Sequence, residues 1–307
     1  MQIFETGETL PENFRQGVVA IGNFDGVHKG HHTLLSDAKA RAEKTGVPFG
    51  ILTFEPHPRT LFQEPSEPFR LTPTPLKRKK LSELAPDYIY ECPFDRALAQ
   101  LPAEAFITQI LREKLGVSEI VVGQDFRFGQ NRGGDISTLK ESGIPTHALG
   151  DVISTKSGQK YSASTIRSYL RRGMIAEANA MLGWDWEIDG IVIHGNKRGR
   201  ELGYPTANIA LNHVLHPAFG IYATWARIAG EDNWRMAATN IGIRPMFKSE
   251  QALMEVHLLD YEGDLYDKTL EVRPVALLRG EAKFDSLKAL IEQMDKDCQK
   301  TRDILGA

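Results

Sequence analysis

Along the first half of the chain, short apolar runs alternate with stretches in which apolar residues return every three or four positions. The runs at 17–21, 49–54, 87–90 and 119–122 read as strands, with 146–149 as a fifth. The stretches at about 30–44, 75–84, 102–115 and 134–142 read as helices. Strands that are apolar throughout, without alternation, are covered on both faces. Strand–helix alternation of this kind predicts an α/β domain with a parallel sheet, whose ligands gather at the carboxyl ends of the strands. The character changes near residue 185. Two short helices, about 164–172 and 174–182, are followed by alternating β-like segments at 188–193, 220–226, 235–240 and 252–259. Gly, Pro, Asn and Asp separate these segments, which predicts an all-β barrel or sandwich. Phe284, Leu287, Leu290, Ile291 and Met294 then recur at helical spacing and predict a terminal helix packing that stripe against the barrel. The pattern divides the chain into domains at 1–185 and 186–307.

The 307 residues suit two domains of ordinary size, and 41% hydrophobic with 25% charged residues describe a soluble globular chain. A formal net charge of -3 supplies no basic field for nucleic acid or an anionic membrane, so any phosphate must be held locally. Cys92 and Cys298 have no metal-binding spacing and read as free thiols of a reducing compartment. The N-terminus lacks a signal-peptide pattern, and no stretch approaches the ~20 apolar residues that span a bilayer. These features predict a cytoplasmic protein, monomeric or weakly homo-oligomeric, with no membrane or nucleic-acid partner.

Chemistry concentrates in the loops that follow strands. At 22–31 (GNFDGVHKGH) a strand ends, glycines permit a tight turn, and a helix opens with His28 and His31 on one face. The unpaired N–H groups of a helix start favour phosphate, and Gly30 leaves room for a nucleotide against the backbone. Two readings stand on the pattern alone. The histidines, His32 included, cap the helix or bind a metal, or the turn holds a nucleotide for displacement at phosphorus. No third metal ligand sits at recognisable spacing. Further loops follow at 53–59 (TFEPHPR), 122–129 (VGQDFRFG) and 161–167 (YSASTIR). In the last, hydroxyls and Arg167 either cap a helix or hold phosphate oxygens.

In the second half, Gly195, Gly199 and Gly203 are interleaved with Lys197, Arg198 and Arg200, either a solvated turn or a basic phosphate cradle. Thr206 and Asn208 offer hard oxygen ligands for Mg²⁺ bound with ATP. Glu255 lies in an apolar strand, where it is either a solvent-facing carboxylate or a base able to deprotonate an alcohol.

With these residues in view, the chain resembles the bacterial bifunctional riboflavin kinase/FMN adenylyltransferase (FAD synthetase) family over essentially its whole length. The motifs that carry the resemblance are GNFDGVHKGH at 22–31, TFEPHPR at 53–59, GQDFRFG at 123–129, SASTIR at 162–167 and PTAN at 205–208. The resemblance implies a Rossmann-like nucleotidylyltransferase domain followed by a riboflavin kinase-like barrel. It implies riboflavin, FMN, FAD and ATP with Mg²⁺ as substrates, products and cofactor. In the first half it implies His28 and His31 on the ATP phosphates, Asn23, Asp25 and Gly30 in the nucleotide pocket, and Ser164 with Arg167 on the leaving pyrophosphate. His57, Arg59, Asp125, Phe126 and Phe128 would meet the flavin, with the 126–128 segment bordering adenine or flavin. In the second half, Gly195, Lys197, Gly199 and Gly203 would hold ATP phosphates, Thr206 and Asn208 the metal, Arg244 the flavin, and Glu255 would be the base. Four positions depart from the family pattern. They are His32 for glutamine, Ala163 for serine, Met246 for threonine, which removes a hydroxyl near the expected flavin pocket, and Asp267 for a turn glycine. Two other classes fit the sequence less well. An aminoacylation protein on the same HxGH fold requires a KMSKS-like loop that the sequence lacks, and a non-catalytic flavin-binding protein conflicts with intact Thr206, Asn208 and Glu255.

Overall fold

The computed structural model describes residues 1–5, 7–62, 68–155, 158–194, 204–246 and 249–306, with backbone alone at 244–246 and 249–251. The chain forms two compact units, Met1–Ser66 with Thr72–Ser162, and Glu67–Leu71 with Ala163–Ala307.

The first unit is built on six strands: β1 (Gln2–Phe4), β2 (Val18–Ile21), β3 (Phe49–Glu55), β4 (Tyr88–Pro93), β5 (Glu119–Gly123) and β6 (Thr146–Leu149). They lie in the order β1-β4-β3-β2-β5-β6, and every neighbouring pair is parallel. The helices are α1 (Lys29–Thr45), α2 (Pro58–Phe62), α3 (Thr74–Ser82), α4 (Arg96–Ala99), α5 (Ala103–Ala105), which runs into a π-helix Phe106–Lys114, and α6 (Ile136–Glu141). Both faces of the sheet are covered, which is why its strands are apolar throughout. Val18, Ala20, Ile51, Ile89 and Val121 pack with Leu34, Leu35 and Ala38 of α1 and Leu81 of α3. On the other face Val19, Ile21, Leu52, Tyr90, Ile120 and Val122 meet Phe106, Ile110 and Leu111 of the π-helix. From β2 the chain winds outward through β3 and β4 on one side, then returns to place β5 on the other. The carboxyl ends of β2 and β5 therefore flank a topological switch point, the usual ligand crevice of such sheets.

The second unit opens with α7 (Ala163–Arg171) and α8 (Ile175–Leu182). Six antiparallel strands follow: β7 (Ile188–Ile191), β8 (Ala207–Ala210), β9 (Gly220–Ile228), β10 (Arg235–Met246), β11 (Ser249–Leu258) and β12 (Thr269–Arg279). Their order is β7-β12-β9-β10-β11-β8. A bridge brings the two edges together, with Ile193 N donating to Asn208 O at 2.8 Å. Closure is tight, since a Cβ on Gly190 would stand 2.4 Å from Ile209 Cγ2. The interior holds Trp186, Tyr222, Ile241, Met254, Val256 and Leu270. The terminal helix α9 (Leu287–Leu305) starts at Ser286, whose side chain accepts from Ala289 N at 3.2 Å.

Several particulars differ from the sequence reading. β1, β8 and β12 do not figure in that reading: β1 and β8 are edge strands of three and four residues, fixed by pairing rather than by pattern, whereas β12 is an inner strand of eleven residues in which Leu270 and Val272 alternate with Glu271 and Arg273. The apolar stripe of the terminal helix is not core. Phe284 precedes the helix, Leu287 is 57% exposed, and the residues α9 buries are Asp297 and Thr301.

Candidate functional site

The turn that leaves β2 is strained. Phe24 and Val27 hold φ of 49° and 36°, left-handed values that non-glycine residues avoid, and both side chains are fully buried. Asp25 supports this turn from within and is itself buried. Its Oδ1 accepts from Thr72 N at 3.0 Å and Thr72 Oγ1 at 3.2 Å, while Thr72 Oγ1 accepts from Gly26 N at 2.9 Å. His28 caps α1, its Nδ1 accepting from His31 N at 3.3 Å. The two imidazoles stack with centroids 3.6 Å apart at 16°, and Phe24 meets His31 edge-on at 5.2 Å. Burial, and then the neighbouring His28 and His32, hold the His31 pKa well below the usual histidine value. His31 Nδ1 is buried without a hydrogen-bond partner among the described residues. The space beside Gly30 is occupied by protein, since a Cβ there would lie 3.2 Å from the His28 ring and 3.2 Å from Tyr161 Cβ. That glycine lets the first histidine fold over the helix start.

A cavity of about 680 Å³ opens at the carboxyl ends of the strands and brings together Asn23, His57, Arg59, Asp125, Phe126 and Phe128. Six phenylalanines contribute to its walls. Phe126 and Phe128 stack at 5.6 Å and 18°, and Phe106 leans on Phe128 at 5.4 Å. His57 Nδ1 accepts from Arg59 N at 3.1 Å. Lys160 reaches Asp125 at 2.6 Å and Asp151 at 2.5 Å, and it holds the Asp125 carboxyl below the usual carboxylate range. Ser164 and Arg167 lie on α7, in the second unit. Arg167 Nε donates to Phe69 O at 2.8 Å, and its guanidinium stands 5.6 Å from the Phe69 ring centre.

In the second unit, register places Glu255 of β11 opposite Asn240 of β10 on one side and Asn208 of β8 on the other. Asn240 Nδ2 donates to Glu255 Oε2 at 2.9 Å, which fixes one carboxylate oxygen; Asn240 Oδ1 is buried without a partner among the described residues. Glu255 and Asn240 face a cavity of about 400 Å³ whose far wall is Phe284, Leu290, Met294 and Cys298. The stripe expected in the core thus fronts an open pocket. Arg279 ties α9 to the barrel here, reaching Asp297 Oδ2 at 3.0 Å from Nε and 2.7 Å from Nη2. Thr206 lines this cavity and also a second one of about 70 Å³, shared with Asn208, Asp264 and Tyr266. The His194 ring meets Tyr266 at a tilt, with centroids 4.0 Å apart at 32°. Among the described residues, no group of three or more His, Cys, Asp or Glu is placed to hold a metal. The oxygens of Thr206 and Asn208 are hard donors that fit a cation arriving with phosphate. Gly195, Lys197, Gly199 and Gly203 lie outside the described residues. The Arg244 backbone pairs with Gln251, and its side chain also lies outside the description.

Sequence reasoning did not find Asn240, Arg279, Asp297 or Thr72. Each acts through a partner far along the chain, and alone each resembles an ordinary surface polar residue.

Comparison with known proteins now bears on both units. The FAD synthetase family pattern matches residues 10–166, and the riboflavin kinase pattern matches residues 182–305. The bifunctional riboflavin kinase/FMN adenylyltransferase of Escherichia coli K12 is 37% identical over 293 residues, covering 94% of this chain and 93% of the relative. The chain belongs to this family. The family's member from Bacillus subtilis is 35% identical over 298 residues, covering 95% of this chain and 93% of its own. A crystal structure described as a macrolide-efflux protein from Streptococcus pneumoniae superposes with a TM-score of 0.85 at 30% identity, covering 98% of both chains. Among the described residues of the present chain, no helix is long and apolar enough to cross a membrane.

Proposed function

We propose that the two cavities divide the family's two reactions between them. The chain is a bifunctional transferase that phosphorylates riboflavin to FMN and adenylylates FMN to FAD, with ATP as donor in both steps. The observation that carries the assignment of the kinase site is Glu255, held by Asn240 at the mouth of a cavity with one polar and one apolar wall. The apolar wall from α9 suits a flat aromatic ring system, and the polar side suits the alcohol to be phosphorylated. Glu255 takes the proton of the terminal hydroxyl as its oxygen attacks the γ-phosphorus of ATP, and ADP leaves. Thr206 and Asn208 would hold Mg²⁺ with the ATP phosphates, and the ion would neutralise phosphate charge. The basic loop carrying Gly195, Lys197, Gly199 and Gly203 would enclose those phosphates, and Arg244 would meet the flavin.

In the first unit, the aromatic cavity with His57, Arg59, Asp125, Phe126 and Phe128 would receive FMN. Its phosphate oxygen attacks the α-phosphorus of ATP in line, the bond to the β-phosphate oxygen breaks, and pyrophosphate leaves without a covalent enzyme intermediate. Asn23, Asp25 and Gly30 shape the nucleotide turn, and His28 and His31 orient the phosphates from the start of α1. Ser164 and Arg167 are assigned to the leaving pyrophosphate. The functional division falls at 185/186, so that α7 and α8 serve the first reaction. The reactions belong in the cytoplasm, on a monomer or weak homo-oligomer.

The test is to incubate the purified chain with riboflavin, ATP and Mg²⁺ and resolve the flavins by chromatography. FMN followed by FAD is the expected course, and absence of both products overturns the reading. Glu255→Gln should lower FMN formation by about 10²–10⁴-fold, the usual contribution of a general base. FAD formation from supplied FMN should persist in that variant. Loss of both activities in folded protein would refute the division of labour.

A further inference from the structure

Lys77 belongs to a basic helical stretch, residues 76–80 (LKRKK), yet it is fully buried. An ammonium so deeply buried costs desolvation that an apolar residue of similar volume would avoid, so fold stability alone does not account for it. Two of its contacts reach the carboxyl end of β3. Nζ donates to Thr53 Oγ1 at 3.1 Å and pairs with Glu55 Oε1 at 2.5 Å. Thr53 is also fully buried, and its Oγ1 donates to Asn23 O at 3.2 Å. A hydroxyl has one proton to give. With Lys77 donating to the Thr53 oxygen, that proton is directed to the Asn23 carbonyl. The peptide so held is the one entering Phe24, at φ 49° the first residue of the strained turn before His28. Glu55, the second partner, leads directly into the turn that carries His57 and Arg59.

We propose that Lys77 is a positioning residue for adenylyl transfer. It holds the Asn23–Phe24 peptide through Thr53 and the 55–59 turn through Glu55, so that one ammonium sets both loops against each other. This rests on the assignment of the 22–31 turn to nucleotide binding. Lys77 touches no substrate; it acts through Thr53 and Glu55.

The test uses the full chain and follows FMN adenylylation, with riboflavin phosphorylation and the melting temperature measured on the same samples. Thr53→Val keeps the Lys77–Glu55 pair and removes only the link to Asn23. It should lower kcat/KM for FMN adenylylation at least tenfold while the phosphorylation rate stays at the wild-type value. Thr53→Ser should recover most of that loss. Lys77→Met should be at least as damaging, and adding Thr53→Val to it should bring little further loss, because both changes break one chain of contacts. Wild-type adenylylation kinetics in Thr53→Val would overturn the proposal, as would full additivity of the two losses. His28→Ala separates this outcome from failure of the underlying assignment. If His28→Ala retains full adenylylation, the turn is not the nucleotide site. If it loses adenylylation while Thr53→Val does not, Lys77 alone has been misread.

Discussion

Burial beside two other imidazoles keeps the His31 ring uncharged at neutral pH, which suits a group that donates hydrogen bonds to phosphate without a full charge. The same burial ties the ring to stability. A histidine whose folded pKa lies below its unfolded value of about 6.5 binds protons more readily when unfolded. The stability it contributes is complete above about pH 6.5 and is lost as pH falls through the folded pKa. Thermal melts of the wild type should therefore drop between pH 7.5 and 5 more steeply than those of His31→Asn; parallel curves would dismiss the effect. Asp267 is a second residue whose backbone decides the outcome. It holds φ 63° in the turn before β12, where Asp267 N donates to Val192 O at 3.1 Å. A side chain there costs about 1–2 kcal/mol, part of which glycine returns through its larger unfolded entropy. Asp267→Gly should stabilise the chain by up to about 1 kcal/mol in chemical denaturation, with FMN formation intact.

At the scale of elements, α9 shows how a correct period can support the wrong conclusion. Phe284, Leu290 and Met294 are spaced as a core stripe is spaced, but they line a cavity, and ion pairs such as Arg279–Asp297 and Arg302–Asp260 tie the helix down. Asp297→Asn should cost about 3 kcal/mol, the scale for removing one partner of a buried pair. It should also raise KM for riboflavin while leaving KM for FMN in adenylylation unchanged, and a shift in both would mean a general loss of folding. Long apolar strands, by contrast, were plain in the sequence because both faces of the parallel sheet are covered. The short edge strands β1 and β8 were not, since pairing with Tyr88–Tyr90 and with Leu253–Val256 defines them. The same limit hid Asn240. Its role exists only through register with Glu255, fifteen residues away in sequence and adjacent in the sheet.

Across the whole molecule, the residues lining each cavity come from one unit, and the FMN made in the first reaction is the substrate of the second. Neither single defect should therefore be dominant. A chain carrying Glu255→Gln mixed with one carrying His28→Ala should convert riboflavin to FAD, which neither achieves alone. Failure of the mixture, with each partner keeping its remaining activity, would require FMN to stay with the chain that made it. The loop motifs named residues that the structure gathers around the two cavities, because nucleotide chemistry fixes residue types at short spacing. What they left dark was the support beneath, such as Thr72 under Asp25, whose partners lie 46 and 47 positions apart along the chain. Thr206 lines two pockets of the barrel at once, the one proposed for the nucleotide phosphates and the one proposed for the flavin alcohol. A shared wall gives the two proposed ligands a route to thermodynamic linkage, and linkage is reciprocal: whatever factor riboflavin gained in affinity from bound nucleotide, the nucleotide would gain from riboflavin.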